Sequence, residues 1–210
     1  MNTNKVNMMS RLLAAFLFAL GSGLTLAAPI SAQQDPFQKL NAKGEPMPVT
    51  AGPWLCVQDK RTGLVWENKS DNPGWRLNTS TYSWMDAKTG QGAALGGVCE
   101  IKHDELVPCD TATLIQVAKK QAWCGREDWR LPSAAELRGL IFDTRFSGEP
   151  MIATGYFQHT GRSAYWTADI RFNEQGETEA LGIRFSNATE VWLPLTRTLR
   201  TRLVAGPQAK

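Results

Sequence analysis

The sequence predicts an α+β fold built around an antiparallel sheet and crosslinked by disulfides. Three observations point there. Helical periodicity is confined to the middle of the chain, while short alternating apolar runs occupy both ends. Turn-forming residues recur between those runs. Four cysteines follow a leader with the marks of export, and in an oxidising compartment an even count reads as two bridges. The 210 residues suit one domain with an appendage.

Residues 1–32 read as a signal peptide. Lys5 and Arg11 precede an apolar run at 12–20, and small residues follow it to Ala27 and Ala32. Pro29 lies just past Ala27, which favours cleavage after Ala32. A retained anchor is the competing reading, but Gly21, Ser22 and Gly23 interrupt the run. No integral membrane span is expected after cleavage. Removing 1–32 takes away two cations and no anion, so the +3 charge of the whole chain says little about an anionic partner. No run of like charges supports nucleic-acid binding.

Residues 33–53 are polar and rich in proline, and read as a flexible lead-in. Residues 54–58 form a strand, 59–63 turn, and 64–67 return as its hairpin partner. Asp59 shapes that turn and Gly63 supplies positive φ. Residues 68–78 are a polar loop carrying Trp75. Ser83 is placed to cap a short helix through Trp84 and Ala87 that frays near Gly90. Asp110 or Thr111 caps a firmer helix with an apolar stripe of Leu114, Ile115, Val117, Ala118 and Trp123. Lys119 and Lys120 suit its C-terminal end, and Gly125 stops it. Ser133 and Glu136 form a capping box for a third helix, whose Leu137, Leu140 and Ile141 face a core. Residues 142–162 are an irregular loop. Strands follow at 163–168, 179–185, 190–193 and 200–204, and 207–210 are a tail. The first and last strands are expected to be neighbours.

Cys99 and Cys109 bracket a polar insertion and are paired locally, leaving Cys56 for Cys124. Four cysteines allow three pairings. A zinc site formed by these thiols with His103 competes, though no CxxC spacing supports it. No metal and no cofactor are expected. Catalysis finds no nucleophile elbow, phosphate loop or zinc-protease motif, and only His103 and His159 are present. A pair of carboxylates brought together by folding stays open.

The 8 tryptophans are the unusual number. Trp66, Trp129 and Trp166 are assigned to the core. Trp54, Trp75, Trp84 and Trp192, at edges and loops, are candidates for exposure. Trp75 with Arg76, Asn72 and Asn78 would make a sugar platform, the ring stacking while the polar groups bond hydroxyls. Arg184, Arg197, Arg200 and Arg202 could gather for a sulfated ligand, Arg200 and Arg202 sharing a strand face. The competing reading is a solvated face paired with Glu179 and Glu190. Asp128, Trp129, Arg130, Pro132 and Glu136 read as a structural unit in which charge-assisted bonds fix a loop.

Asp59-Lys-Arg-Thr-Gly-Leu-Val-Trp66, Thr81-Tyr-Ser-Trp84, Cys109-Asp-Thr111, Cys124-Gly125 and Asp128-Trp-Arg-Leu-Pro-Ser-Ala-Ala-Glu-Leu137 occur in order. Tyr165-Trp-Thr167 and Arg202-Leu-Val-Ala-Gly206 complete the series. In this the chain resembles the bacterial Lcl C-terminal domain family (DUF1566) across 54–206. The resemblance implies a secreted or surface domain with a C-type-lectin-like fold, and adhesion, including to sulfated glycosaminoglycans. The calcium-binding lectin signatures are missing: Glu149-Pro150 is followed by Met151. The Gly-X-Y stalk of the collagen-linked member is missing as well. The expectation is a non-catalytic binding or adhesion domain in the bacterial periplasm or at the cell surface, recognising a glycan or an envelope protein. An assembly subunit of an envelope or pilus-like complex and a carboxylate-dependent hydrolase are the alternatives.

Overall fold

The structure, a computed structural model, describes residues 35–142 and 149–207. The expected signal peptide, its cleavage site and the end of the tail lie outside the described residues.

In chain order the strands are β1 (Phe37–Leu40), β2 (Cys56–Asp59), β3 (Val65–Glu67), β4 (Tyr82–Ser83), β5 (Met85–Asp86), β6 (Gln91–Gly92), β7 (Gly97–Lys102) and β8 (Glu105–Cys109). Helix α1 (Thr111–Lys120) follows, then a 3-10 turn (Trp123–Gly125), β9 (Trp129–Arg130) and α2 (Ala134–Arg138). The chain closes through β10 (Ala164–Phe172), β11 (Thr178–Arg184), β12 (Glu190–Pro194), β13 (Thr198–Leu199) and β14 (Val204–Ala205). This is an α+β, disulfide-bonded fold of mostly antiparallel sheet.

Turn chemistry sets the central hairpin. β2 and β3 pair with Val57 opposite Trp66. Between them the Asp59 carboxylate accepts from the Arg61 N–H and guanidinium, and its carbonyl accepts from the Gly63 N–H at 2.7 Å. Gly63 stands at φ 75°, where a side chain would be strained. The five-stranded sheet runs β1-β2-β3-β14-β9. The last strand therefore neighbours the returning arm of the hairpin and not its first arm. β1 corrects the flexible lead-in: the chain is ordered in a strand from Phe37. The cause is nonlocal. Lys39 is buried, its ammonium 3.5 Å from the Trp54 ring centroid and 2.6 Å from the Val49 carbonyl.

The expected helix at 83–90 is replaced by β4, β5 and β6. The Ser83 hydroxyl donates to the Ala93 carbonyl at 2.6 Å and accepts from the Gly96 N–H, so it joins strands and caps nothing. α1 is capped by Asp110, which accepts from the Thr113 N–H at 2.7 Å. It ends at Lys120, so Trp123 belongs to the separate turn and not to the helix stripe. α2 begins with the expected capping box of Ser133 and Glu136. β10, β11 and β12 form a three-stranded antiparallel sheet, and β7 pairs with β8 in the insertion.

Strand alternation sorts the core into two sets. Cys56, Val65, Trp166, Ala180 and Ala205 belong to one cluster, and Val57, Trp66, Tyr165, Leu181 and Val204 to the other. Cys56–Cys124 and Cys99–Cys109 are disulfides, with Cα atoms 6.4 and 6.0 Å apart, and both lie in the first cluster. With all four sulfurs so bonded, the zinc alternative falls. Among the described residues no helix is long and apolar enough to cross a membrane.

Candidate functional site

A cleft of about 380 Å³ opens where the 70–76 loop faces the turn after α1. Trp75 and Arg76 line one side and Gln121 and Trp123 the other, over the Cys56–Cys124 bridge. Backbone bonds shape the loop: Ser70 N–H donates to Arg76 O at 2.9 Å, Leu77 N–H to Gly74 O at 2.9 Å, and Gly74 N–H to Glu100 O at 2.8 Å. The Tyr82 hydroxyl donates to the Trp75 carbonyl at 2.8 Å. Opposite, Ala122 and Cys124 take positive φ of 43° and 51°. Those two left-handed residues turn Trp123 out of the α1 axis. Its indole donates to the Gln121 amide at 2.8 Å, and its ring meets Trp129 edge-on at 6.3 Å.

Arg76 is half-buried behind the rings. Its Nη1 donates to the Leu55 and Asn68 carbonyls, and the guanidinium sits 5.8 Å from the Trp123 ring centroid. Burial pulls its pKa below the usual arginine range, and the Glu67 carboxylate partly offsets this. Glu67 and Lys69 form a fully buried ion pair at 2.7 Å. Burial likewise lowers the Lys69 ammonium. Among the described residues no carboxylate or imidazole lines the cleft. Its indoles can stack a ring, and its amides and guanidinium can bond hydroxyl or acidic groups.

Trp75, Arg76 and Asn72 all line this cleft. Asn78 does not line the cleft; its backbone pairs with Ser70 instead. Arg202 is a correction. It is fully buried, bonding the Glu67 carbonyl at 2.6 Å and the Thr160 hydroxyl at 2.7 Å, so it presents nothing to a surface ligand. Arg200 is half-buried against Gly161, where an added Cβ would collide with its guanidinium. Glu179 and Glu190 pair with Arg171 and Arg138, not with the closing arginines. Trp54 and Trp84 are also corrections: both are buried, because each indole finds a distant carbonyl, Tyr156 O at 2.7 Å and Thr167 O at 2.9 Å. Trp123 and Gln121 were not singled out as site residues. The signal for them was Trp123 standing beside a bridged cysteine at the end of a helix.

The residues read as a structural unit do meet. Arg130 grips Glu136 through two bonds of 2.8 Å, and its Nε reaches the Gly206 carbonyl. Asp128 accepts from the Gly206 N–H at 3.0 Å and from Arg126, whose guanidinium holds the carboxyl below its ordinary pKa. Trp66, Trp129 and Trp166 are buried, and the Pro132 carbonyl accepts from the Ala168 N–H.

A family model described as the Lcl C-terminal domain matches residues 55–205. No curated protein and no solved structure matches the chain.

Proposed function

The chain belongs to the Lcl C-terminal domain family, and from that premise we propose that it is an exported, non-catalytic binding domain whose ligand is a glycan seated between Trp75 and Trp123. One observation carries the reading: two indoles, Trp75 and Trp123, line one recess together with Arg76, Asn72 and Gln121. A pyranose offers a C–H face to a ring and hydroxyls to amides, so this lining suits it. The lack of a carboxylate in the cleft among the described residues favours binding over the hydrolase alternative. Two disulfides suit an oxidising compartment. A C-type-lectin-like architecture is part of the proposal, supported by the sparse helix and by β1 and β14 lying in one sheet.

A glycan array probed with the purified protein tests it. We expect selective binding that Trp75→Ala and Trp123→Ala each weaken by at least about tenfold. Unchanged binding by both variants would remove the cleft from the function, and an empty array would remove the glycan.

A further inference from the structure

A second recess, about 550 Å³, lies between α1 and the β5–β6 hairpin, away from the Trp75 cleft. Its floor is apolar, with buried Trp84, Trp129 and Leu131. At its end stands Ile170, 41% exposed, and two residues on in the same strand Phe172 is 71% exposed. Residues i and i+2 of a strand share a face, so the two extend the apolar floor outward.

β10 is an edge strand of its sheet. Its first half is covered: the Trp166 N–H donates to Arg200 O and the Ala168 N–H to Pro132 O. Past Ala168 the strand pairs, among the described residues, only with β11. The far edge of Ile170–Phe172 therefore presents free backbone donors and acceptors beside an apolar recess. Charge adds a third feature. Lys88 and Lys119 line the recess, and among the described residues neither has an ion-pair partner. Asp86, on the same rim, accepts from the Lys88 N–H and the Thr89 hydroxyl and keeps its charge, so two ammonium groups stand against one carboxylate there. Arg130 is neutralised by Glu136.

We propose that this recess and the open edge of β10 dock an extended peptide segment of a partner protein, with apolar residues at alternate positions and carboxylates flanking them. The peptide backbone pairs with β10 as an added strand. Its apolar side chains lie over Ile170, Phe172 and the recess floor, and the carboxylates flanking the paired stretch meet Lys88 and Lys119. A peptide is favoured over an amphiphile because only a backbone satisfies the strand edge as well as the recess.

The test selects a displayed library of eight-residue peptides on the purified full chain, then measures the recovered sequences by fluorescence anisotropy. Recovered peptides should be acidic with apolar residues at alternate positions. N-methylation of alternate amides should weaken them by at least about tenfold, and so should the Lys88→Glu/Lys119→Glu double variant of the protein. Ile170→Lys should do the same with an unchanged thermal midpoint. Basic sequences, sequences with helical spacing, or indifference to N-methylation would overturn the proposal; that last arm needs no protein variant. Sedimentation of the protein alone completes it. A dimer that Ile170→Lys dissociates would identify a second copy as the occupant and overturn the partner assignment, and a monomer in both agrees with it.

Discussion

On one side of the core, Cys56, Val65, Trp166 and Ala205 pack together with both disulfides; on the other, Val57, Trp66, Tyr165 and Val204 pack with α2 and with no crosslink. The second side needs none. Leu137 and Leu140 of the α2 region are fully buried, and Phe37 meets Phe157 edge-on at 5.1 Å. Large apolar side chains pack it without a covalent tie. The crosslinked side carries the cleft, where Leu55, Trp75 and Trp123 stand beside Asn72, Arg76 and Gln121. A covalent bond there ties β2 to the turn after α1 and leaves the Trp75 and Trp123 rings partly exposed. The lesson is that apolar packing anchors both sides, and that the Cys56–Cys124 bridge adds a covalent tie where the cleft opens.

The strongest way to break that comparison is to remove the long bridge. Cys56 and Cys124 are 68 residues apart, and losing a closure of that length costs about 4 kcal/mol in the chain-entropy account. We expect Cys56→Ala/Cys124→Ala to lose about that in urea unfolding. Hydrogen exchange should show the Leu77 and Asn78 amides losing protection well before Leu137. If all three lose it together, the two sides are one cooperative unit and the contrast fails.

Leu137→Ala attacks the other side. A fully buried leucine truncated to alanine costs about 3 kcal/mol through lost transfer energy and a residual cavity. The urea midpoint should fall accordingly, while Leu77 keeps its protection relative to Leu137. A cost below about 1 kcal/mol would mean that α2 contributes little to its side.

How much of this was legible in the sequence depended on whether a residue's partner was local. The 54–67 hairpin, α1 and α2 were readable because Asp59, Asp110 and Ser133 each satisfy backbone groups within three or four residues. Ser83 looks equally like a cap, but its hydroxyl is used by Ala93 and Gly96, ten and thirteen residues on. β1 was missed because its lysine is buried only by virtue of Trp54, and Trp54 was placed outside because its indole's acceptor is 102 residues away. In the cleft, Trp75, Arg76 and Asn72 were legible as neighbours in one loop. Trp123 was not, since the disulfide that brings it across is a tertiary fact. Alternation put Arg200 and Arg202 on one face, but it could not say that Glu67 draws Arg202 inside.

Alkaline pH sharpens the comparison through Tyr82, which belongs to the crosslinked side. Burial first, and then the nearby Glu67 carboxylate, raise its phenol well above the ordinary value of 10.0. A raised folded pKa means that its contribution is complete below pH 10 and is lost as pH climbs toward the folded value. Each unit above 10 then costs about 1.4 kcal/mol. Lys69 works the other way. Its ammonium is held below 10.5, so folding gains as pH rises toward that value and gains nothing beyond it. Wild type should therefore lose stability steeply between pH 10.5 and 11.5, and Tyr82→Phe should flatten that fall in urea titrations. Equal slopes would mean that the phenol is not what resists ionisation on this side.

The smallest effect tests how the uncrosslinked side is tied to the chain's end. The Ser133 hydroxyl accepts from the Glu136 N–H at 3.2 Å, and the Glu136 carboxylate accepts from the Ser133 N–H at 2.8 Å while holding Arg130. Arg130 and Asp128 in turn hold the carbonyl and N–H of Gly206, just past β14. Ser133→Ala removes one leg of the capping box and leaves the rest of this chain of bonds in place. The cost should be about 1 kcal/mol in urea unfolding, the usual value of a lost N-cap. A loss above about 2 kcal/mol would show the hydroxyl holding Glu136 in position for Arg130, and with it the last strand. In that case the side without disulfides has a staple of its own, made of hydrogen bonds.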